Sequence, residues 1–170
     1  EVLDEKLDLD DADAKYPDLR VKEGKIEFRD VSFRYFKHSE EKVLDDINLT
    51  ISPGETVGII GSTGCGKTTL VSLIARLYDP DGGEVLVDGV DVRDYSLYHL
   101  REGIAMVLQK NVLFAGSIAE NLRWGDENAT DEEVRRAAEY AAADKFITSF
   151  ADGYDTLLDK GGANVSGGQK

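Results

Sequence analysis

The sequence predicts an α/β fold in which a strand, a glycine-rich loop and a helix follow one another in the first half of the 170-residue chain. The run Glu55–Ile60 is short, apolar and rich in β-branched residues, which indicates a buried strand. The loop Gly61–Thr69 reads G-S-T-G-C-G-K-T-T. Four apolar residues then recur at the spacing of one helix face: Leu70, Leu73, Ile74 and Leu77. An apolar fraction of 41% is enough to bury the core of one domain of ordinary size.

The glycine-rich loop fits the phosphate-binding pattern G-x-x-x-x-G-K-[ST]. Glycines let backbone N–H groups approach phosphate oxygens closely, and the helix that follows points its positive end at them. We expect Lys67 to reach the β- and γ-phosphates of a nucleoside triphosphate and the Thr68 hydroxyl to ligate a bridging Mg²⁺. The predicted nucleotide contacts are Gly61, Ser62, Thr63, Gly64, Cys65, Gly66, Lys67, Thr68 and Thr69. The alternative is a glycine-rich turn that enters a helix beside an exposed lysine.

Composition excludes several other classes of function. The net charge of −14 argues against a general surface for nucleic acid or anionic membrane, because both partners would be repelled. One cysteine, Cys65, excludes an internal disulfide and suits a reducing compartment. The sequence shows no signal peptide and no run of the roughly 18–20 apolar residues that span a bilayer. Because the sequence starts at Glu1 without Met, we expect a piece of a longer protein.

The chain order predicts two further regions before the loop. Residues 1–23 contain nine acidic and four basic residues, which indicates an acidic, solvated linker with the domain proper at 24–170. The runs Ile26–Tyr35 and Val43–Ile51 predict an antiparallel pair of strands.

After the loop helix, turn and capping signals divide the chain. Glu84–Val87 predicts a strand that ends in an Asp88-Gly89 hairpin turn, and a short helix near 96–101 leads to an apolar strand, Ile104–Leu108. Capping boxes at Ser117 with Glu120 and at Thr130 with Glu133 predict two helix starts. We expect a small helical subdomain here, with a narrow buried face made of Val134, Ala137, Ala138 and Ala141.

The last residues carry a second candidate site, V-S-G-G-Q-K. One interpretation is a third capping box, formed by Ser166 and Gln169. That interpretation leaves Gly167 and Gly168 unexplained, because glycine is a poor helix former, whereas a ligand close to the backbone would explain both. Together with the phosphate loop, the segment resembles the signature motif of ATP-binding cassette (ABC) proteins, commonly L-S-G-G-Q.

The resemblance covers residues 25–170 and implies a P-loop NTPase core of the ABC type, with an N-terminal antiparallel β-subdomain and part of a helical subdomain. The strand V-S-F-R-Y is similar to the family's A-loop, which implies that Tyr35 stacks on adenine. The alternative is core packing, because Val31, Phe33 and Tyr35 share one face of a strand. Gln109 in V-L-Q-K-N matches the Q-loop glutamine, which implies a catalytic residue that contacts Mg²⁺ and the nucleophilic water.

Two segments are similar to the exporter branch: V-L-F-A-G-S-I-A-E-N-L and the N-terminal E-V-L-D-E-K. This resemblance implies ATP and Mg²⁺ as ligands and the cytoplasmic face of the cell membrane as the location. It also implies two partners, a transmembrane domain of the same transporter and a second nucleotide-binding domain in a head-to-tail dimer. Three residues depart from the usual exporter pattern: Leu108, Lys160 and Val165. The form G-G-x-N-x-S-G-G-Q-K, with R-W-G at Arg123–Gly125, resembles the degenerate-site subunit of heterodimeric exporters.

In the family, the Walker B strand with its catalytic glutamate follows the signature, whereas this chain stops at Lys170. We therefore expect the central parallel sheet to lack its later strands, and the chain to bind ATP better than it hydrolyses it. One alternative to an exporter domain is a soluble ABC ATPase of DNA repair or translation. A purely regulatory ATP-binding module is another.

Overall fold

The computed structural model describes residues 9–108 and 111–170. The chain divides into two compact units, Glu1–Met106 and Val107–Lys170. The first unit contains a four-stranded sheet formed by β1 (Ile26–Phe33), β2 (Leu44–Ile51), β3 (Gly82–Val87) and β4 (Val90–Asp91). Its helices are α1 (Lys67–Ile74) and α2 (Leu97–Glu102), with a 3₁₀ turn at Val92–Asp94.

The sheet has the order β2-β1-β3-β4, and every neighbouring pair is antiparallel. The predicted pairing of β1 with β2 is confirmed, with Ile26 opposite Ile51 and Phe33 opposite Leu44. A bulge at Asp30, where φ is 52°, interrupts the alternation that the sequence predicted. The bulge puts Phe28 and Val31, three residues apart, on the same buried face.

Gly83 of β3 lies against this bulge. Its φ is 79°, and a Cβ atom there would collide with the backbone carbonyl oxygens of Arg29 and Asp30. Glycine is therefore required at this position both by the backbone conformation and by the close approach of β1.

The Asp88-Gly89 hairpin turn is confirmed between β3 and β4, with φ values of 51° and 79°. The Asp88 carboxylate accepts hydrogen bonds from the backbone N–H groups of Lys22 at 2.7 Å, Glu23 at 3.1 Å and Lys25 at 2.9 Å. Partial burial raises the pKa of Asp88, but these N–H donors outweigh burial and hold the pKa below its usual value. Through these hydrogen bonds the turn holds residues 22–25 against the sheet.

The described part of the acidic N-terminal segment also contacts α2. The Asp11 carboxylate accepts a hydrogen bond from the Leu97 N–H at 2.8 Å, and the Pro17 carbonyl lies 2.7 Å from Nδ1 of His99. Between residues 11 and 25 the segment is therefore attached to the first unit rather than solvated along its whole length. The boundary after residue 23 and the role as a linker from a membrane domain stay predictions.

Helix α1 packs on the sheet through Leu70 and Leu73 and ends at Ile74. The side chain of Arg101 donates hydrogen bonds to the carbonyl oxygens of Ala75 and Arg76, at 3.2 and 2.8 Å, just beyond the end of the helix. Leu77, predicted on the buried face of this helix, lies beyond its end and is half-exposed. The core of the first unit consists of Phe28, Val31, Phe33, Leu44, Leu70, Leu73, Val85, Val87, Val92, Tyr95 and Leu100.

Two predicted strands are wrong. Glu55–Ile60 and Ile104–Leu108 are extended apolar segments, but neither has a hydrogen-bonded partner strand among the described residues. A strand forms only where its backbone N–H and C=O groups are paired with a neighbour. Without that neighbour, Ile59 and Ile60 remain exposed, and the sheets of the described residues are antiparallel.

The second unit contains β5 (Gly116–Ser117), α3 (Ile118–Leu122), α4 (Asp131–Tyr140), α5 (Asp144–Ile147), a 3₁₀ turn (Gly153–Asp155) and β6 (Leu157–Leu158). Strands β5 and β6 form an antiparallel pair. The buried core is small: Ile118, Ala138, Ile147 and Leu158. Helix α4, the longest described helix, has 10 residues, and no described helix has the length and apolarity of a membrane span.

Both predicted capping boxes are confirmed in this unit. The Ser117 hydroxyl accepts from the Glu120 N–H at 3.1 Å, and the Glu120 carboxylate accepts from the Ser117 N–H at 2.7 Å. Thr130 and Glu133 make the same reciprocal pair at the start of α4. The predicted face of α4 is narrower than expected: Val134 and Ala138 are buried, whereas Ala137 is exposed and Ala141 lies exposed beyond the helix end.

Candidate functional site

The phosphate loop leads directly into helix α1, which begins at Lys67. The preceding residue, Gly66, has a left-handed backbone with φ 90°, and no side chain caps the helix. The first turn also carries no acidic residue. The positive end of α1 is therefore neither capped nor neutralised by its own side chains, which is the arrangement that an anion-binding helix start needs.

Lys67 places its ammonium group against the loop. Its Nζ donates hydrogen bonds to the carbonyl oxygens of Gly61 at 2.8 Å and Ser62 at 2.7 Å, and it lies 3.6 Å from Sγ of Cys65. These contacts hold a full positive charge where the loop folds back on the helix start. Phosphate oxygens are stronger partners for an ammonium group than neutral carbonyls, because both partners are charged.

Each glycine of the loop either has close neighbours or has a left-handed backbone. A Cβ atom on Gly66 would lie 3.0 Å from Cδ2 of Leu44 and 3.0 Å from the Val43 carbonyl oxygen. A Cβ atom on Gly61 would lie 2.6 Å from Sγ of Cys65. Gly64 has φ 85° and open space around it. At Gly64 the backbone is therefore open to a ligand, which fits a bound phosphate chain.

The polar side chains of the loop divide into two groups. Ser62, Thr63, Cys65 and Thr68 are exposed, so their side chains are accessible to a ligand. The Thr68 hydroxyl, in the first turn of α1, is accessible to a metal ion at the loop. Thr69 is buried, and its hydroxyl contacts Tyr35.

Tyr35 lies just beyond the end of β1 and beside α1. Its hydroxyl is 2.8 Å from Oγ1 of Thr69. Val31 and Phe33, on the same predicted face, are in the core at 0% and 4% exposure, whereas Tyr35 is 47% exposed. Core packing alone therefore does not account for Tyr35, and its ring is accessible for stacking. The adenine contact itself stays a prediction.

Sequence reasoning missed one aromatic neighbour of this site, Tyr78. Its ring lies edge-on to the Tyr35 ring, with centroids 5.2 Å apart and an interplanar angle of 87°. Tyr78 follows α1 in the turn R-L-Y-D-P, 43 residues after Tyr35 along the chain. The only signal in the sequence is an aromatic residue next to a helix end, which is too common to indicate a site.

The signature segment lies in the second unit. Its four predicted contact residues, Ser166, Gly167, Gly168 and Gln169, are exposed. The Gln169 side-chain oxygen accepts from the Ser166 N–H at 2.8 Å, which is half of a capping box, but no helix begins there in the described residues. Cβ atoms on Gly167 and Gly168 would meet nothing within 4 Å, so internal packing does not require glycine at either position.

Gln109, predicted to be catalytic and to contact Mg²⁺, lies outside the described residues, as does the exporter-like segment E-V-L-D-E-K. Among the described residues, no group of three or more His, Cys, Asp or Glu side chains could hold a metal ion. The roles of Thr68 and Gln109 as Mg²⁺ ligands stay predictions.

Comparison with known proteins identifies the family. The sequence model of the ABC transporter family matches residues 44–170, which is most of the chain. The chain belongs to the ABC transporter family. The predicted resemblance is thus confirmed.

The relatives of this ABC domain are transporters. It is 46% identical over 147 residues to ABC transporter B family member 3 of Dictyostelium discoideum, covering 86% of this chain and 10% of that protein. It is 43% identical over 171 residues to the human ATP-binding cassette sub-family B member 5, covering 100% of this chain and 14% of that protein. The chain therefore spans a small part of the length of the curated relatives it matches.

A solved structure of a bacterial Atm1-family ABC exporter with ATP bound matches the fold. The TM-score is 0.91 at 34% sequence identity, and the match covers 99% of this chain and 29% of the exporter chain. This confirms the predicted ABC-type fold. None of these comparisons supports a soluble ATPase or a purely regulatory module.

Proposed function

We propose that this chain is the ATP-binding cassette domain of a membrane exporter, which binds Mg-ATP and, in the intact parent, hydrolyses it to drive export across the membrane. One observation carries the proposal: the Lys67 ammonium group and the uncapped start of α1 meet at the glycine-containing loop of residues 61–69. Family membership and the likeness to an exporter support it.

In this proposal the phosphate chain binds to the backbone N–H groups of residues 61–69. Lys67 exchanges its neutral carbonyl partners, Gly61 and Ser62, for charged phosphate oxygens, and this exchange favours binding. Thr68 supplies a hydroxyl ligand to Mg²⁺, which neutralises the charge on the β- and γ-phosphates when bound. The net charge of −14 on the whole chain makes this local positive field necessary.

The base is held by Tyr35, a residue that is 47% exposed and whose hydroxyl contacts the buried Thr69 of α1. Stacking on an aromatic ring tolerates different bases, since every base has a π-face. We expect stacking on Tyr35 to add affinity for the nucleotide. We expect the phosphate loop to make binding depend on the triphosphate.

Partners follow from the signature segment. Ser166–Gln169 is exposed, and its two glycines are open to an external group. We propose that this segment closes on the ATP of a second nucleotide-binding domain in a head-to-tail dimer. We further propose that Gln109 links the site to a transmembrane domain of the same transporter, on the cytoplasmic face of the membrane.

Calorimetric titration of the chain with Mg-ATP, Mg-tripolyphosphate and AMP tests the binding proposal. We expect Mg-ATP to bind tightest, Mg-tripolyphosphate to bind more weakly, and AMP to bind least because it lacks the β- and γ-phosphates. Failure of the folded chain to bind Mg-ATP would contradict the proposal. Equal affinity for AMP and ATP would show that the phosphate loop does not carry recognition.

A further inference from the structure

Three aromatic rings meet beside α1, and we call them the ring cluster: Phe33, Tyr35 and Tyr78. Tyr35 lies edge-on to Phe33, with centroids 5.0 Å apart, and edge-on to Tyr78, with centroids 5.2 Å apart. Phe33 and Tyr78 are 5.5 Å apart at a tilt of 47°. Edge-on contacts are favourable arrangements for aromatic pairs, so each neighbour restricts the Tyr35 ring.

Hydrogen bonds hold the backbone just before Tyr78, and a side-chain salt bridge joins the residues on its two sides. The Leu77 N–H donates to the Ser72 carbonyl at 3.0 Å, and Arg76 forms a salt bridge with Asp79 at 2.8 Å. Arg101 donates to the Arg76 carbonyl at 2.8 Å. The ring of Tyr78 is therefore attached to the end of the helix whose beginning is the phosphate loop.

Tyr35, in contrast, lies outside the paired strand, because β1 ends at Phe33. Its side chain is fixed by the Thr69 hydrogen bond and by the two edge-on contacts. Phe33 is 4% exposed and belongs to the core, whereas Tyr78 is 42% exposed. Both rings contact Tyr35. Core packing explains the position of Phe33, but it does not explain the exposed surface of Tyr78.

We propose that Tyr78 is a positioning residue for the nucleotide base: it restricts the Tyr35 ring from one edge, so that the exposed part of that ring is presented for stacking. The proposal rests on the proposed function. Tyr78 would act through Tyr35, and it would link the base contact to the far end of α1. A ring that is already restricted loses less conformational freedom when a ligand binds.

The expected effect is confined to ligands that carry a base. Loss of the Tyr78 ring should weaken Mg-ATP binding by about two- to tenfold, the range that one edge-on aromatic contact supplies. Binding of Mg-tripolyphosphate should be unchanged, because that ligand reaches the phosphate loop but has no base. A purely structural role for Tyr78 would weaken both ligands alike.

Calorimetry on the full chain tests this with Tyr78→Ala, Tyr78→Leu and Tyr78→Phe. Tyr98→Ala is the matched control, since Tyr98 is 65% exposed and lies edge-on to His99. Weaker Mg-ATP binding by the Ala and Leu variants, unchanged Mg-tripolyphosphate binding, and restored ATP affinity in Tyr78→Phe would support the proposal.

Three results would overturn it. The first is unchanged ATP affinity in the Ala and Leu variants, and the second is an equal loss for both ligands. The third is unfolding of both variants in thermal melts, which would assign the ring to the core. If the wild-type chain binds neither ligand, the proposed function fails first, and this inference fails with it.

Discussion

The hydroxyl group of Tyr35 lies 2.8 Å from Oγ1 of Thr69, a residue 34 positions later in the chain. This hydrogen bond joins the end of β1 to the first turn of α1, immediately after Lys67 and Thr68. The proposed base contact and the proposed phosphate contacts are thereby connected within the first unit.

Replacing Tyr35 tests the base contact. Tyr35→Ala should weaken Mg-ATP binding by about 1–3 kcal/mol, the scale of stacking between a base and an aromatic side chain, while Tyr35→Trp should bind normally. Calorimetry measures both. The neighbouring Phe36, 77% exposed and outside the ring cluster, supplies the control Phe36→Ala. If Tyr35→Ala unfolds the domain without a separable loss of binding, the core interpretation is correct instead.

Asp88→Asn tests the anchor of residues 22–25. The folded-state pKa of Asp88 is lowered, so its stabilising effect is present above the unfolded pKa of about 4 and is lost as pH falls through the folded pKa. Asparagine tolerates the φ of 51° at this position, so the turn itself should survive. At pH 7 we expect the variant to be less stable by about 1–2 kcal/mol, the difference between charged and neutral hydrogen-bond acceptors.

Urea unfolding at pH 7 and near pH 3 measures this difference. The gap between wild type and Asp88→Asn should shrink at the lower pH, because the wild-type carboxylate takes up a proton more readily in the unfolded chain than in the folded one. Asp18→Asn removes the same charge at an exposed position, and it should leave stability nearly unchanged. An equally large difference in unfolding free energy at both pH values would contradict the role of the charged Asp88 carboxylate as the hydrogen-bond acceptor.

Gly83 and Gly89 have the same φ of 79°. Comparing their alanine variants therefore separates the cost of backbone strain from the cost of a steric collision. Gly89→Ala should cost about 1 kcal/mol, because its Cβ would meet nothing within 4 Å and only the left-handed backbone is strained. Gly83→Ala should cost several times more, since its Cβ would also collide with the carbonyls of Arg29 and Asp30. Equal losses of unfolding free energy in the two variants would show that the contact between β3 and the β1 bulge is looser than described.

The sequence predicted most reliably those features that depend on residues close together in the chain. The reciprocal bonds of Ser117 with Glu120 involve residues three apart, and the Asp88-Gly89 turn depends on two residues that tolerate positive φ. The phosphate loop is likewise a local pattern, and the structure contains the helix start that the pattern predicted.

Features that depend on distant residues were predicted less well. The apolar composition of Glu55–Ile60 is typical of a strand, but a strand also needs a partner, and composition does not show whether one is in reach. Alternation in β1 could not reveal the bulge at Asp30, which is matched by Gly83 on another strand. The contacts of Tyr35 with Thr69 and Tyr78 join residues that no short-range periodicity relates.

Cys65 reports on occupation of the loop. It is the single cysteine of the chain and is exposed, with its sulfur beside Lys67, so maleimide labelling follows this site alone. Bound Mg-ATP should slow labelling because the phosphate chain covers the loop. In Lys67→Ala the protection should disappear at the same ATP concentration. Equal labelling rates with and without Mg-ATP in the wild type would mean that ATP does not cover this residue.

The most direct measurement is the affinity of Lys67→Ala for Mg-ATP, determined by calorimetry beside Lys145→Ala, an exposed lysine of α5 in the second unit. We expect Lys145→Ala to bind like wild type. We expect Lys67→Ala, with its fold intact by circular dichroism, to lose at least about 100-fold in affinity, because the phosphate charge loses its direct cationic partner. Unchanged affinity in folded Lys67→Ala would contradict the claim that this loop binds the nucleotide.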